Sequence, residues 1–293
     1  MMTLDAAIAA VVWGLMFVVG LELTGADFRR MATQPRAVVA GTLGPLLLLP
    51  LLAAGLLRSG AWPPPVVAGL ILLAAGPAGA LANVYAYLAG ANAALAVTLT
   101  ALSCPIAVVA LPVLTRWGFT LWLAADPTVA VPIWPMIGQL LFLLLLPVAV
   151  GMAVRHRWPA WSARRRGAAQ WLALGGLLAL LGFVLYDQAD LLRVAWRDQV
   201  SAALLFTLLA MAAGWGVGGL AGLEPRDRFT LLCEFAVRNL AIVTLVTVTL
   251  LGRTDFVAFA AVLFLVQTPV LLLAVALYRR WTALPPHRER TEP

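Results

Sequence analysis

The chain has 293 residues, 63% of them hydrophobic and only 11% charged, and its mean hydropathy is +0.96. A soluble globular domain is about half apolar and roughly a quarter charged, so the composition excludes that class and indicates a polytopic membrane protein. The formal charge of +7 comes from 20 basic residues, all of them arginine; with no basic patch interleaved with aromatics, it reflects membrane topology and gives no sign of nucleic-acid binding.

The first apolar run has no basic leader and no small-residue cleavage site, so it reads as a transmembrane helix and not a signal peptide. A bilayer-spanning helix takes about 20 apolar residues. On that basis the spans fall at 4–23, 35–57, 64–90, 92–116, 132–155, 167–187, 199–222, 228–251 and 256–278. Nine spans put the termini on opposite sides. With the C-terminus inside, the cytoplasmic segments carry Arg29, Arg30, Arg36, Arg155, Arg157, Arg164, Arg165, Arg166, Arg226, Arg228, Arg279, Arg280, Arg288 and Arg290. The outer loops carry Arg58, Arg116, Arg193, Arg197 and Arg253. Fourteen against five obeys the positive-inside rule and places the N-terminus outside. Residues 1–280 form one membrane domain, and the Pro-rich 281–293 is a polar cytoplasmic tail. Trp117, Trp122 and Trp134 stand where interfacial aromatic belts lie.

Two spans are interrupted. The third holds "AGPAGALAN" (75–83), where Pro77 removes a backbone donor and Gly76 and Gly79 weaken the helix. The eighth holds "CEFAVRN" (233–239), with Glu234, Arg238 and Asn239 at membrane depth. Each is followed by another apolar helix after almost no loop, "GAN" (90–92) and "GRTD" (252–255). Interrupted segments in matching positions of two halves are the pattern of an inverted-repeat transporter.

Each charge at the centre of a membrane helix costs roughly 2.5–3.5 kcal/mol on insertion scales. Two readings fit Glu234 and Arg238. Spaced i,i+4, they can form a structural ion pair on one helix face; or they mark a site facing a water-filled cavity. Asn83, Thr100, Glu234 and Asn239, on spans that can cross one another, form an oxygen-rich set of the kind hard cations require. Cys104 and Cys233 lie in apolar segments and form neither a disulfide framework nor a zinc site. No His-Glu-x-x-His or Gly-x-Ser-x-Gly motif occurs, the Tyr186–Asp187 pair has no Gly-x-Gly-Asp companion, and His156 and His287 sit in basic segments. An enzyme is not expected.

Three stretches resemble the bile acid:sodium symporter family: "MFVVGLELTGADFRRMATQPRAVVAG" (16–41), "GPAGALANVYAYLAGANAALAVTLTALS" (76–103) and "LCEFAVRNLAIVT" (232–244). Their order and spacing agree from roughly residue 12 to residue 280. The resemblance implies an all-α transporter in which a panel domain faces a core domain holding two broken, crossing helices. It further implies a small organic-anion substrate near the crossover, sodium ions behind it, and Gln267 and Thr268 of the ninth span opposite the crossover as candidate cavity-lining residues; no other cofactor and no obligate protein partner is expected. Carried over, Asn83, Thr100 and Glu234 match the first sodium site, while Ala82 and Ala96 stand where serines are expected. At the second site Arg238 and Pro45 replace glutamines, Ala80 a threonine and Ala78 a glycine; the crossover Asn239 is kept. These losses leave too few oxygens for two sodium ions, since such a cation takes about six. The resemblance therefore implies transport with altered or absent sodium coupling, carried by what is left of the first site or by protons. The alternative is a non-transporting membrane sensor or scaffold built on the same fold.

Overall fold

Proline sets where several helices begin. Pro35, Pro64 and Pro225 each occupy a first helical position, where no amide donor is needed and φ is already helical. The computed structural model describes residues 2–25, 33–123 and 131–283. The helices are α1 (Met2–Glu22), α2 (Pro35–Arg58), α3 (Pro64–Ala75), α4 (Leu81–Ala89), α5 (Ala93–Trp122), α6 (Ile133–Arg157), α7 (Pro159–Asp187), α8 (Ala189–Leu220), α9 (Pro225–Ala236), α10 (Leu240–Thr249) and α11 (Val257–Ala283). Arg29, Arg30, His287, Arg288 and Arg290 lie outside the described residues, as do Asp27 and Phe28 of the first family-like stretch and the tail from 284 onward; so does the side chain of Arg166.

Among the described residues six helices, α2, α5, α6, α7, α8 and α11, are long and apolar enough to cross a membrane. The shorter α1 and the pairs α3–α4 and α9–α10 occupy the other three expected spans. The chain is an all-α polytopic membrane protein. In α6 the backbone passes through a π-helical turn at Leu141–Leu145, just before Pro147. A proline inside a helix removes one donor and crowds the preceding turn, and the wider turn absorbs that conflict.

Two groups of helices face each other. In the first, α1 packs against α6 and α7, with Gly20 and Gly151 in backbone contact; a Cβ on Gly20 would lie 2.2 Å from the Val148 carbonyl oxygen. In the second, α8 packs against α9, α11 and α2, and the broken helices sit inside this group. Every residue from Pro65 to Ala75 of α3 and from Leu240 to Thr247 of α10 is buried, whereas α7 is largely exposed. Of the proposed belt tryptophans, Trp117 and Trp134 are exposed, but Trp122 packs half-buried against the core.

The helix ends also pair by face. On one face, Asn92 Nδ2 donates to Asp227 at 2.8 Å and Arg226 Nε donates to the Gly90 carbonyl at 3.1 Å. On the other, the Gln188 amide approaches Thr254.

The two breaks meet. Gly76 is extended (φ −68°, ψ 166°), as the residue before a proline tends to be, and Val237 is extended at φ −92°, ψ 108°. The unwound strands cross antiparallel at Ala78 and Arg238. The Gly79 amide donates to the Val237 carbonyl at 3.0 Å, and the Asn239 amide to the Pro77 carbonyl at 2.9 Å. At this crossing a Cβ on Gly79 would lie 2.8 Å from the Arg238 carbonyl oxygen. Gly79→Ala is expected to cost about 1–3 kcal/mol through this clash. The thermal midpoint of the purified protein should fall, while Gly14→Ala, whose added Cβ meets no neighbouring element within 4 Å, should leave it unchanged or slightly raised, since alanine favours a helix interior over glycine.

Candidate functional site

The crossover places four ends of half-helices at the centre of the protein: the C-terminal ends of α3 and α9, and the N-terminal ends of α4 and α10. A helix C-terminus carries unsatisfied carbonyls and partial negative charge, and an N-terminus carries free amides and partial positive charge. The side chains divide along that line.

Arg238 serves the carbonyl ends. Its Nε donates to the Leu73 carbonyl at 3.2 Å, its Nη1 to the Glu234 carbonyl at 3.2 Å, and its Nη2 to the Gly76 carbonyl. One buried guanidinium thus closes the C-termini of both broken helices. Of the two sequence readings, the i,i+4 ion pair on one helix face is not seen among the described residues. α9 stops at Ala236, so Arg238 lies beyond the helix, and all its hydrogen bonds go to backbone oxygens instead of the Glu234 carboxylate.

Glu234 looks the other way. Thr100 Oγ1 lies 3.2 and 3.4 Å from its two carboxylate oxygens and 3.1 Å from Asn83 Oδ1. Glu234 and Thr100 are 1% and 2% exposed. A hydroxyl has one proton, so it satisfies only one of these acceptors at a time. The cluster of Asn83, Thr100 and Glu234 thus brings several acceptor oxygens together around one hydroxyl, with the Arg238 guanidinium lining the same small cavity as Glu234. Ala82 and Ala96, both buried, offer it no hydroxyl.

Behind the crossover a cavity of about 30 Å³ is lined by Thr42, Pro45, Ser103, Glu234 and Arg238 among others. Pro45, standing where a glutamine ligand is expected, therefore does lie beside Glu234 and Arg238. Ser103 ties the region together, accepting from the Ala78 amide at 3.1 Å and donating to the Thr100 carbonyl at 2.7 Å.

In front of the crossover lies a larger cavity of about 310 Å³. The core contributes Gly79, Ala80, Leu81, Arg238, Asn239 and Leu240, including the first residues of α4 and α10. From the facing group come Met16 and Glu22 of α1 and Gln170 and Trp171 of α7. Asn239 caps α10 by accepting from the Ile242 amide at 3.2 Å, and its Nδ2 approaches Met16 Sδ at 3.7 Å, so it bridges the two groups. Gln267 and Thr268 do not reach this cavity. Gln267 is fully buried with no protein partner for its amide, and Thr268 donates to the Phe264 carbonyl and receives the Tyr85 hydroxyl at 3.4 Å. Glu22 and Gln170 were not picked out by motif; a lone acid near the end of an apolar helix was the available signal. Cys104 and Cys233 are free and buried.

Broken helices crossing at a buried charged cluster, with a cavity between two helical groups, define a membrane transporter. A family model, the sodium bile acid symporter family, matches residues 9–194, and the chain belongs to that family. It is accordingly a secondary transporter of that kind, not an enzyme. The match covers α1 to the start of α8 and includes Asn83 and Thr100, while Glu234, Arg238 and Asn239 lie beyond it. None of the curated proteins matches the chain.

Removing the guanidinium would strand three buried carbonyls, each costing about 1–3 kcal/mol when left unsatisfied. Arg238→Met is therefore expected to lower the thermal midpoint sharply, with Arg238→Lys intermediate, as read by thermal unfolding in detergent.

Proposed function

We propose that the protein carries a small organic anion across the membrane by alternating access, with Arg238 as a tethered cation in place of a second sodium ion. The observation that supports this is the set of backbone carbonyls, from Leu73, Gly76 and Glu234, converging on one guanidinium. Half-helix C-termini and unwound carbonyls are what hold sodium in transporters with broken helices. Arg238 supplies the same charge to the same kind of oxygen, so a sodium ion there has neither ligands nor electrostatic need. The substrate site in this reading is the 310 Å³ cavity, where the first residues of α4 and α10 present amides to an anion. Asn83, Thr100 and Glu234 form the remaining cation-binding cluster, with sodium or a proton as its occupant.

An inverted repeat is supported by the matching halves. α3 and α9 are 12 residues each and start on proline, and the turns after α4 and α10 each contain a left-handed glycine, Gly90 at φ +70° and Gly252 at φ +62°. We read the face carrying Arg155, Arg226 and Arg228 as cytoplasmic, in a bacterial plasma membrane.

In proteoliposomes loaded with the purified protein, uptake of taurocholate or short radiolabelled monocarboxylates is expected to proceed equally in potassium and sodium media, or with at most one sodium per cycle. Strict dependence on two sodium ions would overturn the Arg238 assignment. Binding of these anions without flux would replace the transport reading with that of a sensor. Arg238→Gln should acquire a sodium-dependent rise in thermal midpoint that the parent lacks.

Orientation is checked by labelling, since both native cysteines are buried. Ser59→Cys should react with a membrane-impermeant maleimide in intact cells, and Arg164→Cys only after permeabilisation. The opposite pattern inverts the topology.

A further inference from the structure

The two helical groups meet differently at the two faces of the protein. Toward the face that carries Arg155 the 310 Å³ cavity separates them, reaching from Arg238 and Asn239 out to Glu22 of α1 and Gln170 of α7. Toward the face that carries Thr254 they are in contact. α6 changes partner along its length: Ile133–Leu140 packs on α5 of the second group, whereas Leu146–Arg157, beyond the π-helical turn, packs on α1 of the first. At the same face Gln188, which follows α7 and donates to Asp187 at 2.7 Å, approaches Thr254 at 3.4 Å.

The better shielded bridge across this seam is Gln139 of α6, whose Nε2 donates to Thr249 Oγ1 at the end of α10. Thr249 gives its one proton to the Leu245 carbonyl at 2.8 Å, so its oxygen serves Gln139 as an acceptor. Both residues are half-buried. Gln139 Oε1 is buried and has no hydrogen-bond partner among the described residues. Shutting the seam therefore makes one bond and strands one oxygen, and opening it breaks the bond but gives water to that oxygen. The offset keeps the two arrangements close in free energy, as a reversible step requires. α10 also has the cavity at its first turn, through Leu240 and Ala241, and the Gln139 bond at its last.

We propose that Gln139 is a positioning residue for transport: seated on Thr249, its amide is the latch that holds the Thr254 face shut while the cavity opens at the Arg155 face. In the alternating-access reading, on which this inference rests, the latch sets how readily the protein changes sides. Thr249→Val takes away the acceptor and leaves the whole Gln139 amide buried and unbonded when the seam is shut, so it favours the arrangement open at the Thr254 face. Gln139→Leu replaces the amide by an apolar group of similar size. With Thr249→Val added, both partners are apolar and nothing polar is stranded, so the shut arrangement is favoured again.

The test is distance measurement between paired spin labels by pulsed electron resonance, on the full-length protein in detergent without substrate; the native cysteines are buried and stay unlabelled. His156→Cys with Glu224→Cys spans the two groups at the Arg155 face, and Arg58→Cys with Tyr186→Cys spans them at the Thr254 face; all four positions are exposed. The parent is expected to show one main distance in each pair. Thr249→Val should add a second population, shorter at the Arg155 face and longer at the Thr254 face, with the ratio of the two moved by about tenfold. Thr249→Ser should keep the parent distribution, and Gln139→Leu/Thr249→Val should lose the second population. Mere damage to the fold broadens both distances and is not repaired by a second substitution. Unchanged distances in Thr249→Val, broadening without the reciprocal change, or a double variant that fails to restore the parent distribution overturns the latch. No substrate enters this measurement, so an overturned latch leaves the anion-transport reading standing on its uptake assay, and absent uptake beside a reciprocal shift overturns that reading alone.

Discussion

Two backbone hydrogen bonds at the crossing of the broken helices carry the rest of the structure. Unwound backbone at membrane depth is tolerated only where its polar groups find partners inside the protein. Here the Gly79 amide reaches Val237 and the Asn239 amide reaches Pro77, so each break satisfies the other. Neither interruption is stable alone in an apolar core. Once they are joined, their free helix ends have fixed positions, and those ends decide where charge can be buried. Glu234 and Arg238 are affordable because carbonyls, a hydroxyl and an amide are already arrayed around them.

The two arginines that close helix ends illustrate one economy at two depths. Arg155 gathers carbonyls at the end of α1 near the surface, and Arg238 gathers them from α3 and α9 at the centre. The planar guanidinium suits both tasks, because its five donors fan out in a fixed fork that a lysine ammonium does not reproduce. Close helix contacts at glycine do the corresponding work for packing: Gly20 against Gly151 joins α1 to α6, and Gly214 against Leu231 joins α8 to α9.

How much of this could be read from the sequence depended on whether the determinant was local. The first break was legible because Gly76, Pro77 and Gly79 are helix breakers in any context. The second contains neither proline nor glycine, and only its charges betrayed it. The same segment misled on detail: an i,i+4 argument presupposes that the helix continues, and α9 ends two residues before Arg238. The grouping of Asn83, Thr100 and Glu234 rested on the expectation that the interrupted spans cross and on the family likeness, since no spacing rule links residues 134 positions apart. Gln267 and Thr268 were misplaced because helix rotation is set by neighbours, and α11 turns Thr268 toward Tyr85 instead of the cavity. Glu22 was legible only as a lone acid at the end of an apolar helix; that it meets Gln170 at the cavity wall is set by the packing of α1 against α7, which leaves no local trace.

The covalent bond that holds Arg238 in the chain has a thermodynamic meaning. A sodium ion that binds on one side and leaves on the other delivers the work of its gradient, including about 2.3 kcal/mol for each 100 mV of membrane potential. A guanidinium fixed to the backbone balances the same oxygens but is never released, so it does not transfer that work from one compartment to the other. In the reading proposed for Arg238, charge compensation and energy input, which a mobile ion provides together, are separated: the crossover has a permanent counter-charge, and the driving force would come from the substrate's own gradient or from the cluster around Glu234.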